Sequence, residues 1–445
     1  MMHTMEQLRS GALAGATYLR LSFDLQAFPE EIFDLADTLE ILDLSGNALS
    51  ALPADFGRLR KLRILFCSDN LFTELPAALG DCPALSMIGF KSNRISRVSP
   101  KALTPKLRWL ILTNNRIRSL PSDIGSCSAL QKLMLAGNEL TSLPESLAQC
   151  LQLELIRLSA NRLVALPEWL LTLPRLSWLA YAGNPFTAEI EARAIAGATV
   201  PAIAWTDLRI DKLLGEGASG VIHRAHLADA KDAEPPVAVK LFKGAMTSDG
   251  TPESELAASV AAGRHPNLIA VNGKVAGHPQ GRNGLVMELV EPQFRNLAGP
   301  PSFESCTRDV YPADAQFTLC SVLQMASSIA SLGRHLHERG IMHGDLYAHN
   351  ILHDGDGQVL LGDLGAASFN TRGGTMAAGL EAIEVRAFGC LLEELIARCY
   401  DSDADATALE LLQEMKSQCL AVDPSHRPLF GELDRRLADV NLTSA

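Results

Sequence analysis

LQKLMLAGNEL, residues 130–140, decides the fold of the first half of the chain. It follows the pattern L-x-x-L-x-L-x-x-N-x-L, and the pattern recurs when the sequence is written in lines headed by Leu39, Leu62, Leu85, Leu107, Leu130, Leu153 and Leu176. Successive heads are 23, 23, 22, 23, 23 and 23 residues apart, and each line carries its asparagine: Asn47, Asn70, Asn93, Asn115, Asn138, Asn161 and Asn184. Neighbours on a strand point to opposite faces, so the L-x-L segment predicts a short strand with both leucines turned inward. The asparagine predicts a turn, because its amide offers two donors and an acceptor to backbone groups that would otherwise be buried unpaired. One such unit buries too little apolar surface to stand alone, whereas stacked units share a continuous core.

Seven lines in register resemble the leucine-rich repeat family. The resemblance implies an α/β solenoid, a parallel-sheet horseshoe, over residues 39–186, with residues 1–38 as an N-terminal cap that includes a divergent first repeat, LRLSFDLQAFP. Cys82, Cys127 and Cys150 stand three residues before a line head, where other lines carry Leu59 and Leu173, and read as core. The third position of the lines reads Ile41, Ile64, Met87, Trp109, Lys132, Leu155 and Trp178, and the fifth adds Phe66, Ile111 and Met134. Alternation turns this column away from the core leucines and predicts an outward apolar stripe on the concave face. We expect Ile64, Phe66, Met87, Trp109, Ile111, Met134, Leu155 and Trp178 to bind a partner: a protein substrate, a regulator or the chain's own second half.

The 445 residues, 47% of them hydrophobic, suffice for two domains with sizeable cores. A net charge of −12 argues against a nucleic-acid partner, whose phosphates need a basic surface. The N-terminal stretch lacks a basic flank followed by an apolar run, and no segment reaches the length of a membrane span, so the expectation is a cytoplasmic protein with no membrane partner. Nine scattered cysteines form neither a disulfide framework nor a CxxC pair, which points to reduced thiols.

The repeat stops after Asn184-Pro185-Phe186, and residues 187–206 read as a short, partly apolar linker. Residues 207–440 then carry a different series of motifs. LGEGASGV, Leu214 to Val221, lies between two strand-like runs, where glycines let a backbone approach phosphates; a dinucleotide fold would place them between strand and helix. VAVK follows at the distance of a third strand, then PESELAASVAAG as a helix, HPNL at 265–268, and LVMELVE at 285–291. A long amphipathic pattern ending in Gly340 leads into HGDLYAHN, residues 343–350, and then GDLG at 362–365.

In this order the motifs resemble the protein kinase family over about residues 207–437, ending with DPSHRP at 423–428. The resemblance implies an α+β bilobal domain after the solenoid, using ATP with Mg²⁺, or Mn²⁺ in its place. Leu214, Gly215, Gly217, Gly220 and Val221 would cover the nucleotide, with Ala238, Met287, Glu288, Val290 and Leu352 around adenine. Lys240 would hold the α/β-phosphates and Glu255 would fix its ammonium. Asp345 takes the position of the catalytic base, and Asn350 and Asp363 take the metal positions.

Departures from the family pattern are specific. Gly344 replaces the arginine of H-R-D, the cation that pairs with a phosphorylated activation segment, which implies an enzyme not switched on by that phosphorylation. Tyr347 stands where serine/threonine kinases have a lysine, and His349 where many tyrosine kinases have an arginine. No APE sequence precedes Glu384, which takes the position of an aspartate in a later helix, and Glu381 is the candidate partner of Arg427. Either the repeats replace the missing peptide platform or the substrate is not an extended peptide. The reading is an ATP-dependent protein kinase, a phosphotransferase to an alcohol group with serine/threonine favoured over tyrosine, whose repeats recruit substrate or partner. The alternatives are a pseudokinase scaffold without transfer and a kinase for a small metabolite.

Overall fold

The asparagine column forms a ladder. Asn138 donates to the carbonyls of Leu112 and Leu135 at 2.9 Å and accepts from the Ile117 amide at 3.0 Å, so one buried side chain satisfies three backbone groups in two turns. Asn70, Asn93, Asn115 and Asn161 repeat the arrangement. These contacts come from a computed structural model that describes residues 2–197, 200–217, 219–228, 235–244, 246–247, 249–400 and 406–443. The chain divides into two compact units, Met1–Arg175 and Leu176–Ala445.

In the first unit the L-x-L segments are three-residue strands: Ile41–Asp43, Ile64–Phe66, Met87–Gly89, Trp109–Ile111, Lys132–Met134 and Leu155–Arg157. They pair in parallel and in register, and Tyr18–Arg20 joins Ile41–Asp43 as the cap's contribution. Helix α1, Met5–Arg9, precedes that strand and begins with a reciprocal capping box between Thr4 and Gln7. Short 3-10 turns face the other side, several entered from a proline that supplies the extended backbone before the turn, as at Pro76, Pro121, Pro144 and Pro167. Cys82, Cys127 and Cys150 are buried where these turns end, and burial pushes the Cys127 thiol up to about 12, as expected of core rather than reactive sulfur.

The concave column is less exposed than alternation predicts. Ile64, Met87 and Leu155 are buried, and Phe66, Trp109, Ile111 and Met134 are half-buried. In-register pairing stacks each side chain on its neighbour, so the stripe shields itself. The Phe66 ring covers the site where Gly89 has no side chain, and Lys132 lies over the Trp109 ring at 4.5 Å.

In the second unit the line headed by Leu176 supplies the strand Trp178–Ala180, and Thr187 bonds back to the Asn184 carbonyl to begin helix α2, Ala188–Gly197. This linker is built into the unit, although residues 198 and 199 lie outside those described. Helix α2 packs on helix α3, Pro252–Ala261, and Ala202–Ala204 adds a parallel strand to Val271–Ala276, with Ile203 lying over Gly273. Among the described residues the resulting six-stranded sheet runs Ala202–Ala204, Val271–Ala276, Gly284–Glu288, Val237–Phe242, Gly220–Leu227, Leu208–Glu216. Its core gathers Leu208, Ala225, Val237, Val239, Leu241, Val275 and Val286. The remainder is mainly helical, with two small sheets: α4, Leu319–His337; α5, Ala377–Ile396; α6, Ala406–Cys419; and α7, Phe430–Thr443, with α4 packed on α7 and α5 on α6.

Candidate functional site

Lys240 lies on the buried Val237–Phe242 strand, and its ammonium is bonded to Glu255 on α3 and lies 3.5 Å from Asp363 Oδ1. Both members of the Lys240–Glu255 pair are buried. Burial opposes the Lys240 charge, but Asp363 and Glu255 outweigh it and raise its pKa. Burial pushes the Glu255 carboxyl up to about 7 against the pull of Lys240. Among the carboxylates of α3, it is Glu255 that meets the lysine.

The turn after Gly362 delivers Asp363. Its backbone is left-handed, with φ 51°, and its side chain accepts from the Gly365 amide at 3.2 Å while remaining half exposed. Leu364 turns inward and is buried. The Gly362 amide donates to the Asn350 carbonyl at 3.1 Å, and Asn350 Nδ2 donates to both the carbonyl and Oδ2 of Asp345 at 2.9 Å. Glu255, Lys240 and Asp363 thus form one set of contacts, Asn350 and Asp345 another, and the backbone of Gly362, next to Asp363, ties the two together.

Glu384 on α5 fixes the loop that carries Asp345. Its two oxygens accept from the amides of His343 at 3.1 Å and Gly344 at 2.7 Å, and from His337 Nε2 at 2.7 Å. Burial would raise its pKa, yet these partners, His337 foremost, lower it, so the carboxylate stays charged in the core. The Asp345 amide donates to His343 Nδ1 at 3.2 Å, which leaves the ring proton on Nε2, 3.1 Å from the Gly362 carbonyl. Glu384 therefore anchors this loop to α5.

Most of the residues expected around a nucleotide lie on or beside the six-stranded sheet, while Leu352 lies on a separate small one. Gly215 and Val221 face Ile222 and Glu216 across the hairpin Leu208–Glu216/Gly220–Leu227, Leu214 is exposed, and Ala218 at the tip lies outside the described residues. A Cβ on Gly220 would lie 2.7 Å from the Leu241 carbonyl, so packing requires that glycine; at Gly215 and Gly217 it would meet nothing within 4 Å. Lys243 ties the hairpin down, bonding Glu216 and the Gly217 carbonyl. Ala238 pairs with Met287 and Val237 with Glu288. Glu288 and Val290 line one hollow with Leu268, Gln358 and Leu360, and Leu360 pairs with Leu352.

Tyr347, which stands at the family's lysine position, is buried and stacked on Trp178 with ring centroids 4.1 Å apart and planes 8° apart. One expectation is corrected. Arg427 donates to the carbonyls of Ala382 and Ala421, each at 3.0 Å, while Glu381 accepts from the Phe430 amide, so the two do not pair. Burial, with Arg386 nearby, lowers the Arg427 pKa to about 10. Sequence reasoning missed Asp309, whose side chain accepts from the His349 amide at 2.9 Å and meets its Nδ1 at 2.8 Å. It sits in the irregular stretch before α4, where no motif spacing marks it.

Residues 208–405 match the family of protein tyrosine and serine/threonine kinases, and residues 105–163 and 38–59 match two leucine-rich repeat families. The second unit carries a protein kinase domain. Its relatives include ephrin type-A receptor 8 of Mus musculus, 28% identical over 46% of this chain and 19% of that protein. The serine/threonine-protein kinase PITSLRE of Drosophila melanogaster is 29% identical over 34% of this chain and 15% of its own length. A protein of Dictyostelium discoideum named "Probable inactive serine/threonine-protein kinase roco10" is 32% identical over 26% of this chain and 4% of its own. The chain thus spans less than a fifth of each of these three. No described helix is long and apolar enough to cross a membrane.

Proposed function

We propose that the kinase domain transfers the γ-phosphoryl group of ATP to a serine or threonine hydroxyl of a protein. The observation that carries this is the Glu255–Lys240–Asp363 contact set, tied through the Gly362 amide to Asn350 and from there to Asp345. Lys240, held charged by two carboxylates, suits the α/β-phosphates, and open space over Gly215 and Gly217 lets the hairpin backbone close on phosphate. Asp345 would accept the hydroxyl proton as the new P–O bond forms and the γ-phosphorus bond to ADP breaks, its electron pair leaving on ADP. The half-exposed Asp363 carboxylate and the side-chain carbonyl of Asn350 offer hard oxygen donors, a set that fits Mg²⁺ or Mn²⁺ completed by phosphate oxygens. Such a cation would neutralise charge on the phosphates.

Serine or threonine is favoured over tyrosine because His349, at the position where many tyrosine kinases carry an arginine, is engaged by Asp309. With Tyr347 stacked away as well, charge on the transferring group rests on Lys240 and the cation, and turnover should be slow. The half-buried Phe66, Trp109, Ile111 and Met134 are the repeat residues we assign to a substrate or partner. A scaffold without transfer is the second reading, favoured by the named inactivity of one relative. Labelled ATP with the full chain separates them. We expect autophosphorylation on serine or threonine, reduced at least about 100-fold in Asp345→Asn and Asp363→Asn; no transfer by the unaltered chain would leave the scaffold.

A further inference from the structure

The last repeat line has a role that its siblings lack. Trp178 occupies a column filled by Ile, Met, Lys or Leu in five of the other six lines and by Trp109 in the sixth, so the solenoid accepts an aliphatic residue there. Here the indole is buried and grips the two residues that follow Asp345. Its ring stacks on Tyr347, and its Nε1 donates to the Leu346 carbonyl at 3.0 Å.

The backbone of the same strand approaches from one edge. Leu179 C=O and Tyr181 N–H are two residues apart and point the same way, as alternation on a strand requires. The Tyr181 amide donates to Ser368 Oγ at 2.9 Å, on the segment that follows GDLG. The Leu179 carbonyl lies 2.5 Å from where a Cβ on residue 344 would sit, and the Ala366 carbonyl 2.7 Å from it. Gly344 also has φ +73°, so both its conformation and its surroundings exclude a side chain. Ser177 completes the seat by accepting from Arg386 Nη1 on α5 at 2.7 Å.

The segment that could otherwise brace this loop is short. Ser368–Phe369 pairs with Ile341–Met342, and only residues 370–376 separate it from α5. The strand of the last repeat line, in the same compact unit, therefore contacts the 343–350 loop where an activation segment has almost no chain left to do so.

We propose, resting on the kinase reading, that Trp178 is a positioning residue for phosphoryl transfer: its stack on Tyr347 and its hydrogen bond to Leu346 hold the loop that aims Asp345. The last repeat line is thereby part of the catalytic assembly, and the loop is braced without phosphorylation. A docked indole fixes the loop's geometry and leaves nucleotide contacts untouched, so the effect belongs in turnover and not in ATP affinity.

The test uses the full chain and the initial rate of autophosphorylation against MgATP concentration. Trp178→Leu inserts the residue that Leu155 supplies in the preceding line, which the solenoid accepts. It should lower the saturated rate about 10-fold with KM for ATP within about twofold. Trp178→Phe, which keeps a ring to stack, should restore at least about a third of the rate. Combining Trp178→Leu with Tyr347→Leu should cost no more than the worse single change, since both remove one contact. Amide exchange across residues 343–350 should quicken about 10-fold or more in Trp178→Leu. A wild-type rate in Trp178→Leu, additive losses in the double variant, or unchanged exchange would each overturn the proposal. If the unaltered chain transfers nothing, the kinase reading fails, and the exchange measurement alone decides whether Trp178 holds the loop.

Discussion

Gly344 shows how a single missing side chain can be misread. Against the family pattern it is a lost arginine, and loss suggests decay; in the fold, the carbonyls of Leu179 and Ala366 occupy the space a Cβ would need. Restoring the family residue should therefore do harm. Gly344→Arg places a branched, charged side chain at φ +73° against two carbonyl oxygens, and we expect destabilisation by about 2–5 kcal/mol with loss of transfer. Urea denaturation followed by tryptophan fluorescence measures it, and a variant as stable as the parent would contradict the packing described here. The charged centre was legible residue by residue, because Lys240, Asp345, Asn350 and Asp363 each belong to a motif with fixed spacing. Tyr347 and Asp309 were not. One acts through a ring 169 positions earlier in the chain, and the other from an irregular segment, and neither relation leaves a periodic trace.

At the scale of elements, the repeat strand and its asparagine were readable because one local unit is copied: the same backbone groups need the same partner in every line. This makes the ladder testable at one rung. Asn138→Ala removes two donors and one acceptor from the buried groups of Leu112, Leu135 and Ile117. Leaving them unpaired should cost about 2–4 kcal/mol, whereas an exposed substitution such as Glu145→Ala should lie within about 0.5 kcal/mol of the parent. Chemical denaturation of both variants provides the comparison, and equal stability would mean that the ladder is ornamental. The apolar column was read less well. Alternation gives the direction of a side chain but says nothing about how far in-register neighbours cover it, and Ile64 and Met87 are buried by that stacking. The linker was likewise legible as short but not as structure, since its strand exists only by pairing with Val271–Ala276, some seventy residues away.

For the whole molecule, the division of the chain at Arg175 and Leu176 matters more than the end of the repeat pattern at Phe186. Sequence periodicity assigns the line headed by Leu176 to the solenoid, whereas its contacts through Ser177, Trp178, Leu179 and Tyr181 assign it to the kinase unit. Ligand linkage distinguishes the two. A nucleotide that binds only the folded kinase unit stabilises it by about 2.7 kcal/mol at a hundred times its Kd. Every amide that exchanges through opening of that unit should then slow by up to about 100-fold. With saturating MgATP we expect protection to rise together in residues 343–350 and in 176–186, and to stay unchanged across the strands of the first unit such as Ile64–Phe66 and Met87–Gly89. Hydrogen exchange resolved by peptide reads all three regions in one experiment. Protection confined to 343–350, with 176–186 behaving like the earlier lines, would return the last repeat to the solenoid and make its contacts with the catalytic loop incidental.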